Sequence, residues 1–239
     1  MSVDLSPYRK PALQFSGGKD SLALLYLLRD QLDSLTVYWT NTGDGCPETL
    51  AVIEQVRPWI PHFVEVTTDV RAWRAENGDP TDLLPANSHG LGVAYGLSEQ
   101  RLTGRFDCCF RNLMEPMHDR MVADGVDLVI RGTKLADTGK VPFEGPSAFY
   151  TVLLPIKAWT HADVFTYLNA VGAPGNAIYE HFKGISAPEC MGCTAWWDDG
   201  KAAYLKARHP AKYREYRVSL ERVKAAIQSH LADLEHELS

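Results

Sequence analysis

The chain has 239 residues, of which 45% are hydrophobic and 23% charged, a composition typical of a globular protein of one domain. Its formal net charge of −6 argues against a surface coated with positive charge for nucleic acid. No apolar run approaches the roughly 18 residues that a membrane-spanning helix needs, and the first ten residues contain no apolar signal core. We therefore expect a cytoplasmic protein with no membrane contact.

The hydrophobic pattern predicts an α/β fold, a doubly wound parallel sheet with helices on both faces and a helical C-terminal extension. We expect one domain over residues 1–200 and a basic extension of it over 201–239. Irregular structure is predicted at 70–107, 136–149 and 172–200. The predicted strands are 11–15, 35–40, 62–67, 126–131 and 150–155, and the predicted helices are 20–32, 47–60, 111–123, 160–171 and 201–238, the last with a break near Pro210.

The end of the first predicted strand carries the string Ser16-Gly17-Gly18-Lys19-Asp20-Ser21. Two glycines allow the backbone to curl close to a phosphate, so that successive N–H groups form an anion nest. The following helix adds its positive N-terminal end, Lys19 adds a full charge, and Ser16 and Ser21 add hydroxyl donors. The string lacks the glycine spacing of a Walker A loop, and it predicts a phosphate cradle of another kind.

This string resembles the signature of the PP-loop ATP pyrophosphatases, which cleave ATP between its α- and β-phosphates and adenylate a substrate. The segments that follow are similar to those of the phosphoadenosine phosphosulfate (PAPS) and adenosine phosphosulfate (APS) reductase branch. They are Asn41-Thr42-Gly43 with Pro47-Glu48-Thr49, Arg131-Gly132-Thr133-Lys134, Leu154-Pro155-Ile156 with Trp159-Thr160 and Asp163-Val164, and Pro174, Asn176 and Tyr179.

The resemblance implies that ATP with Mg²⁺ binds at the cradle. Ser16, Gly17, Gly18, Lys19 and Ser21 would hold the β- and γ-phosphates, and Asp20 would organise the loop or the metal. Arg131 and Lys134 would contact the α-phosphate or the acceptor, and with Lys19 and Asp20 they would be the catalytic residues. The further nucleotide-binding residues would be Asn41, Thr42, Gly43 and Gly132.

Four of the five cysteines form two pairs, the adjacent Cys108 and Cys109 and the Cys-x-x-Cys pair Cys190 and Cys193. Adjacent cysteines do not easily form a disulfide with each other, because the peptide between them is planar. Four thiolates on one site would suit a [4Fe–4S] cluster or tetrahedral zinc, and free thiols remain an alternative. The resemblance to APS reductases favours the cluster, with these four cysteines as its ligands. We interpret the fifth, Cys46, as a small buried residue.

The chain departs from the reductases in two respects. Their nucleophilic cysteine lies on a C-terminal tail, whereas no cysteine follows Cys193 here, and their phosphate loop is typically altered, whereas the Gly-Gly-Lys-Asp form is complete here. These departures favour ATP as the substrate and sulfur transfer, as in phosphorothioation or thiolation enzymes. Two alternatives remain: an APS or PAPS reductase whose nucleophilic thiol comes from another chain, and a non-catalytic nucleotide-binding cluster protein.

Residues 201–224 contain eight Lys and Arg residues against two Glu, with Tyr204, Tyr213 and Tyr216 interleaved. Such a segment could contact the phosphates of a nucleic-acid acceptor, with rings free for stacking, or bind a protein acceptor. The plainer interpretation is a solvated helix face. The sequence leaves open whether the protein forms a homodimer.

Overall fold

The computed structural model describes residues 3–140, 143–182, 186–197 and 200–239. In chain order the strands are β1 (Pro11–Gln14), β2 (Thr36–Asn41), β3 (Phe63–Thr67), β4 (Asp79–Thr81), β5 (Leu102–Gly104), β6 (Leu128–Ile130), β7 (Gly145–Pro146) and β8 (Thr151–Leu153). The helices are α1 (Lys19–Leu27), α2 (Pro47–Val56), α3 (Val70–Asn77), α4 (Gly90–Ala94), α5 (Arg105–Cys109), α6 (Glu115–Ala123), α7 (Leu135–Thr138), α8 (His161–Ala170), α9 (Lys201–Arg208) and α10 (Pro210–Glu237).

The chain divides into two compact units. The first comprises Met1–Asn41, Cys46–Thr67 and Glu115–Ala187, and the second comprises Thr42–Gly45, Thr68–Met114 and Pro188–Ser239. The predicted boundary at residue 200 between a domain and its extension stays a prediction.

The first unit is built on a six-stranded sheet in the order β3-β2-β1-β6-β8-β7. The strands pair in parallel except β7, which pairs antiparallel with β8. Alternate residues of β1 serve opposite faces, since Leu13 packs in a core with α1, α2 and α8, and Ala12 packs in a second core with Met121 of α6. The predicted doubly wound α/β sheet is thereby confirmed.

Two helices of the first unit end earlier than predicted. The helix expected over 20–32 is α1 followed by a 3₁₀ segment, Arg29–Ser34, because Leu28 leaves helical geometry with ψ of 9°. The helix expected over 47–60 ends at Val56 and continues as a 3₁₀ turn around Pro58. Proline has no N–H to donate, so Pro58 cannot continue the hydrogen bonds of the α-helix.

The second unit contains order that the sequence pattern did not predict. Within the segment expected to be irregular, β4 and β5 form a short parallel pair in which Asp79 lies opposite Leu102. Strands of three residues carry too few side chains for an alternating pattern to be detected. The break in the C-terminal helix is confirmed, since α10 begins at Pro210, a favoured first position.

The segment predicted as a loop at 136–149 contains part of α7 and all of β7, and its residues 141–142 lie outside the described residues. Residues 183–185 and 198–199 of the predicted 172–200 segment also lie outside them. Among the helices that the structure describes, none is both long enough and apolar enough to cross a membrane.

Candidate functional site

The predicted phosphate cradle is a sharp turn between β1 and α1. Gly17 has a φ of +75°, and a Cβ placed on it would lie 2.6 Å from Cγ1 of Ile53. Only glycine suits both that backbone angle and that space. Gly18 is the N-cap of α1, so the turn delivers the chain directly to the positive end of a helix.

Hydroxyl groups brace this turn from both ends. The Ser21 Oγ accepts a hydrogen bond from the Ser16 N–H at 3.1 Å and lies 3.2 Å from the Ser16 Oγ. The Ser16 Oγ accepts from the Gly18 N–H at 3.3 Å. The Tyr179 hydroxyl accepts from the Lys19 N–H at 2.9 Å. The cradle is therefore closed in this structure by side-chain oxygens that hold N–H donors of the turn.

Two lysines and two carboxylates form a network beside the cradle. The Nζ of Lys19, 3% exposed, lies 2.9 Å from Oδ2 of Asp20. The Nζ of Lys134, fully buried, lies 2.7 Å from the other Asp20 oxygen and 2.9 Å from Oδ1 of Asp137. Asp20 thus joins the two lysines, and the four predicted catalytic residues include three members of one charge network.

Arg131 and Gly132 follow β6 in the same unit. The Nε of Arg131 is buried and has no hydrogen-bond partner among the residues that the structure describes. Gly132 lies against the start of α1, since a Cβ on it would be 2.9 Å from the carbonyl carbon of Asp20. The predicted Arg131–Lys134 segment is thus packed against the cradle, and it brings a buried donor that a ligand oxygen could accept.

His161, at the start of α8, belongs to the surroundings of this network. Its Nδ1 lies 3.9 Å from Oδ1 of Asp137. Burial lowers the pKa of His161, and the charges of Lys19 and Lys134 lower it further. Burial also lowers the pKa of Lys19, with Lys134 adding to that effect and Asp20 opposing it. The imidazole is consequently held neutral beside two ammonium groups.

Sequence reasoning assigned His161 and Asp163 to the first turn of a helix. For Asp163 this is confirmed, because it forms a capping box with Thr160. His161 also lies beside the charge network. From the sequence, Tyr179 was predicted only to belong to a segment similar to those of the reductases. The separation of 160 residues between Lys19 and Tyr179 leaves no local signal for their contact.

The predicted nucleotide-binding residues Asn41, Thr42 and Gly43 fall in different units. Asn41 ends β2 in the first unit, and its side chain donates to Glu65 at 2.8 Å. Thr42 and Gly43 begin the second unit, where the Thr42 Oγ1 lies 3.5 Å from the Cys190 Sγ. The structure therefore groups Thr42 with the cysteines.

All four paired cysteines lie in the second unit. Cys108, Cys190 and Cys193 are buried in one apolar cluster with Val70 and Ala195, and Trp73 packs against it. Cys109 is partly exposed, whereas Cys46 is buried in the first unit, as predicted. The two cysteine pairs, which lie 81 positions apart in the sequence, are thus brought into one region of the fold.

The thiols of this cluster interact with the guanidinium group of Arg74. Arg74 forms a hydrogen bond to the Cys108 thiol, and although burial lowers its pKa, charge on Cys190 and Cys108 outweighs that effect and raises it. Burial raises the pKa of Cys109 to about 12 and that of Cys190 to about 11. Burial thus opposes ionisation of Cys109 and Cys190, whereas the charge of Arg74 favours the charged form of Cys108 and Cys190.

The donor set fits a thiolate-bound metal group in its chemistry, since four cysteines share the unit and Arg74 interacts with their thiols. Over residues 3–140, 143–182, 186–197 and 200–239, no three His, Cys, Asp or Glu side chains are grouped so as to hold a metal ion. The ligands of a cluster would thus have to move closer together on binding it.

The C-terminal basic segment differs from the surface that the sequence suggested. Lys201 is 2% exposed, and its Nζ donates to the Cys193 carbonyl at 2.9 Å. Tyr204 and Tyr216 are buried, so their rings are not free to stack on bases, contrary to the prediction. These side chains face inward because the helices must cover apolar surface of the second unit.

Comparison with known proteins supports a relationship to one family. A model of the phosphoadenosine phosphosulfate reductase domain matches residues 10–78, which include the cradle. An adenosine 5'-phosphosulfate reductase from Burkholderia cepacia is 26% identical over 165 residues, covering 66% of this chain. The match spans 59% of that relative, less than two thirds of its length.

The fold agrees with that of a solved structure. The crystal structure of phosphoadenylyl-sulfate reductase from Candida auris, a phosphate complex, superposes with a TM-score of 0.50 over 72% of this chain and 77% of that one. The sequence identity is 15%, so this likeness concerns the fold alone. The family model and the Burkholderia cepacia relative support a relationship to the PAPS reductase family.

Proposed function

We propose that this protein belongs to the PAPS reductase family as an ATP-using member, which cleaves ATP to AMP and pyrophosphate and so adenylates an acceptor for sulfur transfer. The observation that carries the proposal is the complete cradle, with its left-handed Gly17 and its Lys19–Asp20–Lys134 network. A site that binds a nucleotide with no β,γ-phosphates has little use for two buried ammonium groups next to a phosphate turn.

Each residue of the cradle has a distinct part in this proposal. The N–H groups of the turn and the N-terminus of α1 bind the β- and γ-phosphates, and Ser16 and Ser21 release those donors to the ligand. Lys19 neutralises the charge on the leaving pyrophosphate. Asp20 keeps both lysines in position, and its carboxylate would hold Mg²⁺ when ATP is bound.

Lys134 and Arg131 act at the α-phosphate. Lys134 is held from two sides by Asp20 and Asp137, so its ammonium is positioned before the ligand arrives. The buried Nε of Arg131 supplies a donor for a nonbridging oxygen. Both groups would stabilise the charge that develops as the acceptor attacks the α-phosphorus and pyrophosphate leaves.

We further propose that Cys108, Cys109, Cys190 and Cys193 hold a [4Fe–4S] cluster. Such a cluster, when bound, supplies thiolate-ligated iron whose properties are tuned by its surroundings. Arg74 would offset the negative charge of the deprotonated thiols. The raised pKa values of Cys109 and Cys190 are compatible with this, since ligation itself removes the protons.

The nucleotide specificity is tested with protein purified without oxygen. ATP, APS and PAPS are supplied separately, and pyrophosphate, AMP and sulfite are measured. Pyrophosphate and AMP from ATP are expected, with activity lost in Lys19→Met and retained in Lys10→Met, which alters an exposed lysine away from the cradle. Sulfite from APS or PAPS with thioredoxin, and no pyrophosphate from ATP, would refute the proposal.

The cluster is tested separately by iron and sulfide analysis of the same preparation. Cys190→Ser is expected to lose iron and the visible absorption, whereas Cys46→Ser, which alters the cysteine of the first unit, keeps both. A colourless protein with one zinc ion would refute the cluster and leave the ATP assay as an independent result.

A reductase acting on APS or PAPS is the second candidate, favoured by the relative named adenosine 5'-phosphosulfate reductase. In that case the nucleophilic thiol would come from another chain. The sulfite assay, run with and without added thioredoxin, decides between the two candidates.

A further inference from the structure

The second unit contains a pocket that shares no lining residue with the cradle. Its volume is about 460 Å³, and its walls come from α3, α10, Asp44 and Gly192. This volume falls within the range of about 300–1,000 Å³ that is typical of small-molecule sites. Neither its position nor its chemistry was apparent from the sequence, because its residues come from five separate stretches of chain.

Positive charge exceeds negative charge around this pocket. Three acidic residues, Asp44, Asp79 and Glu215, line it. The basic residues that line it number five: Arg71, Arg74, Arg101, Lys212 and Arg222. The lining therefore carries a surplus of two positive charges, in a protein whose formal net charge is −6.

Three of the five basic residues contact the same carboxylate. Asp44 has a fully buried side chain, and Arg74 and Lys212 lie 3.0 and 3.4 Å from its oxygens. Arg71 lies 3.3 Å from the same carboxylate. The Gly192 N–H donates to it at 2.8 Å. Three cations and one amide donor thus contact one carboxylate, and one of those cations, Lys212, has a second partner in Glu215 at 3.1 Å.

Asp44 is held ionised by this arrangement. Burial alone would raise its pKa, but the Gly192 N–H and the charges of Lys212, Arg74 and Arg71 outweigh that effect and lower it. The carboxylate therefore acts as a permanent anchor that gathers the cations, and it cannot neutralise all of them. An incoming dianion would complete the charge balance.

The cations are also positioned before any ligand binds. Arg74 is 9% exposed and Lys212 18% exposed, so both are confined by packing as well as by Asp44. Arg222 is held by Asp79 at 2.6 Å, and Arg101 by Asn77 at 3.2 Å. Preorganised guanidinium groups match the planar pairs of oxygens of a phosphate.

We propose that this pocket binds the phosphate group of a small phosphorylated molecule. Three of the five cations converge on the Asp44 carboxylate and do not follow an extended track, which favours a single phosphate over a polynucleotide backbone. The walls also carry hydroxyl and carboxylate groups, from Ser219, Asp79 and Glu215, that can bind the hydroxyls of the ligand.

The test uses inorganic phosphate as the probe and the full-length protein carrying Lys19→Met, which weakens phosphate binding at the cradle. Titration calorimetry is performed on this background and after addition of Arg71→Ala or Arg101→Ala. Both arginines are exposed, so each change removes a pocket charge with little effect on the fold. Arg217→Ala is the matched control, since Arg217 lies on α10, is exposed, and does not line the pocket.

Arg71→Ala and Arg101→Ala are each expected to weaken phosphate binding about tenfold, the effect of losing one charge-assisted hydrogen bond. Arg217→Ala is expected to leave the affinity unchanged. Equal affinity in all three variants, or no phosphate binding on the Lys19→Met background, would overturn the proposal. So would displacement of phosphate by an oligonucleotide that lacks a terminal phosphate. None of these outcomes depends on ATP cleavage or on the cluster.

Discussion

The two units hold buried charge in opposite ways. Beside the cradle of the first unit, Lys19 and Lys134 face two carboxylates, so the network is balanced in the absence of ligand. Around Asp44 in the second unit, three cations face this carboxylate and that of Glu215, which pairs with Lys212. The lysines of the first arrangement are held in place by their own carboxylates. The second arrangement would be stabilised more by an external anion. The comparison shows that a cluster of lysine and arginine residues indicates a ligand only after its own partners have been counted.

The balanced network gives the largest expected effect. Lys134→Met leaves Asp20 and Asp137 without their shared cation, and we expect the free energy of unfolding to fall by about 3 kcal/mol, the lower end for loss of one partner of a buried ion pair. Urea unfolding followed by circular dichroism measures it. The double variant Lys134→Met/Asp137→Asn should recover part of the loss, because Asp137 then carries no unpaired charge and Asp20 keeps its contact with Lys19. A single variant as stable as the parent protein would show that the network is not stabilising.

The backbone of the cradle gives the next effect. Gly17→Ala forces a Cβ into contact with Ile53 at a φ of +75°, whereas Gly139→Ala has a similar φ of +64° and open space around it. We expect Gly17→Ala to cost about 2 kcal/mol more than Gly139→Ala, because crowding is added to the same backbone strain. Thermal unfolding of the two variants measures the difference, and equal melting temperatures would contradict it.

The prediction of these features from sequence succeeded where the cause is local. The turn, Lys19 and the start of α1 occupy six consecutive residues, so their geometry follows from residue type and order. The contacts of Lys19 with Tyr179 and of Asp44 with Lys212 join residues more than 150 positions apart, and no period in the sequence encodes them. The fold class was predictable because buried strands alternate with amphipathic helices, which is a local pattern repeated along the chain.

The burial of Tyr216 could have been predicted from the sequence. Tyr216 and Val223, both buried, are seven residues apart on α10, the spacing of one helix face. That spacing would have assigned Tyr216 to the packed side of the helix and removed it from the proposed stacking surface.

The unbalanced cluster gives a smaller effect that depends on the ligand. Asp44→Asn removes the anchor of three cations, and we expect a loss of about 1.5 kcal/mol, the scale of a charged hydrogen bond. Phosphate should raise the melting temperature of this variant more than that of the parent protein, since the anion takes the place of the carboxylate. Asp30→Asn, an exposed change in the first unit, serves as the control. An identical response to phosphate in the variant and the parent would argue against a charge deficit at Asp44.

The smallest effect is electrostatic and concerns His161. Its pKa in the free protein should lie below the ordinary value of 6.5, because of burial and the charges of Lys19 and Lys134. Since the pKa of a histidine is lowered on folding, the imidazole resists protonation, and its contribution to stability is lost as pH falls below about 6.5. Lys19→Met should raise the pKa of His161 and Asp137→Asn should lower it further. Proton NMR titration, with His161→Gln to assign the resonance, measures both, and the same pKa in all variants would exclude the coupling.

The course of the chain through the two units limits how this protein can be divided. It passes from one unit to the other five times, at residues 41/42, 45/46, 67/68, 114/115 and 187/188. No single truncation can therefore yield either unit intact, and no contiguous gene fragment encodes one of them. Contacts that close such long loops form late in folding and slow it. We expect the two units to be acquired, lost and exchanged together in evolution, as one heritable module.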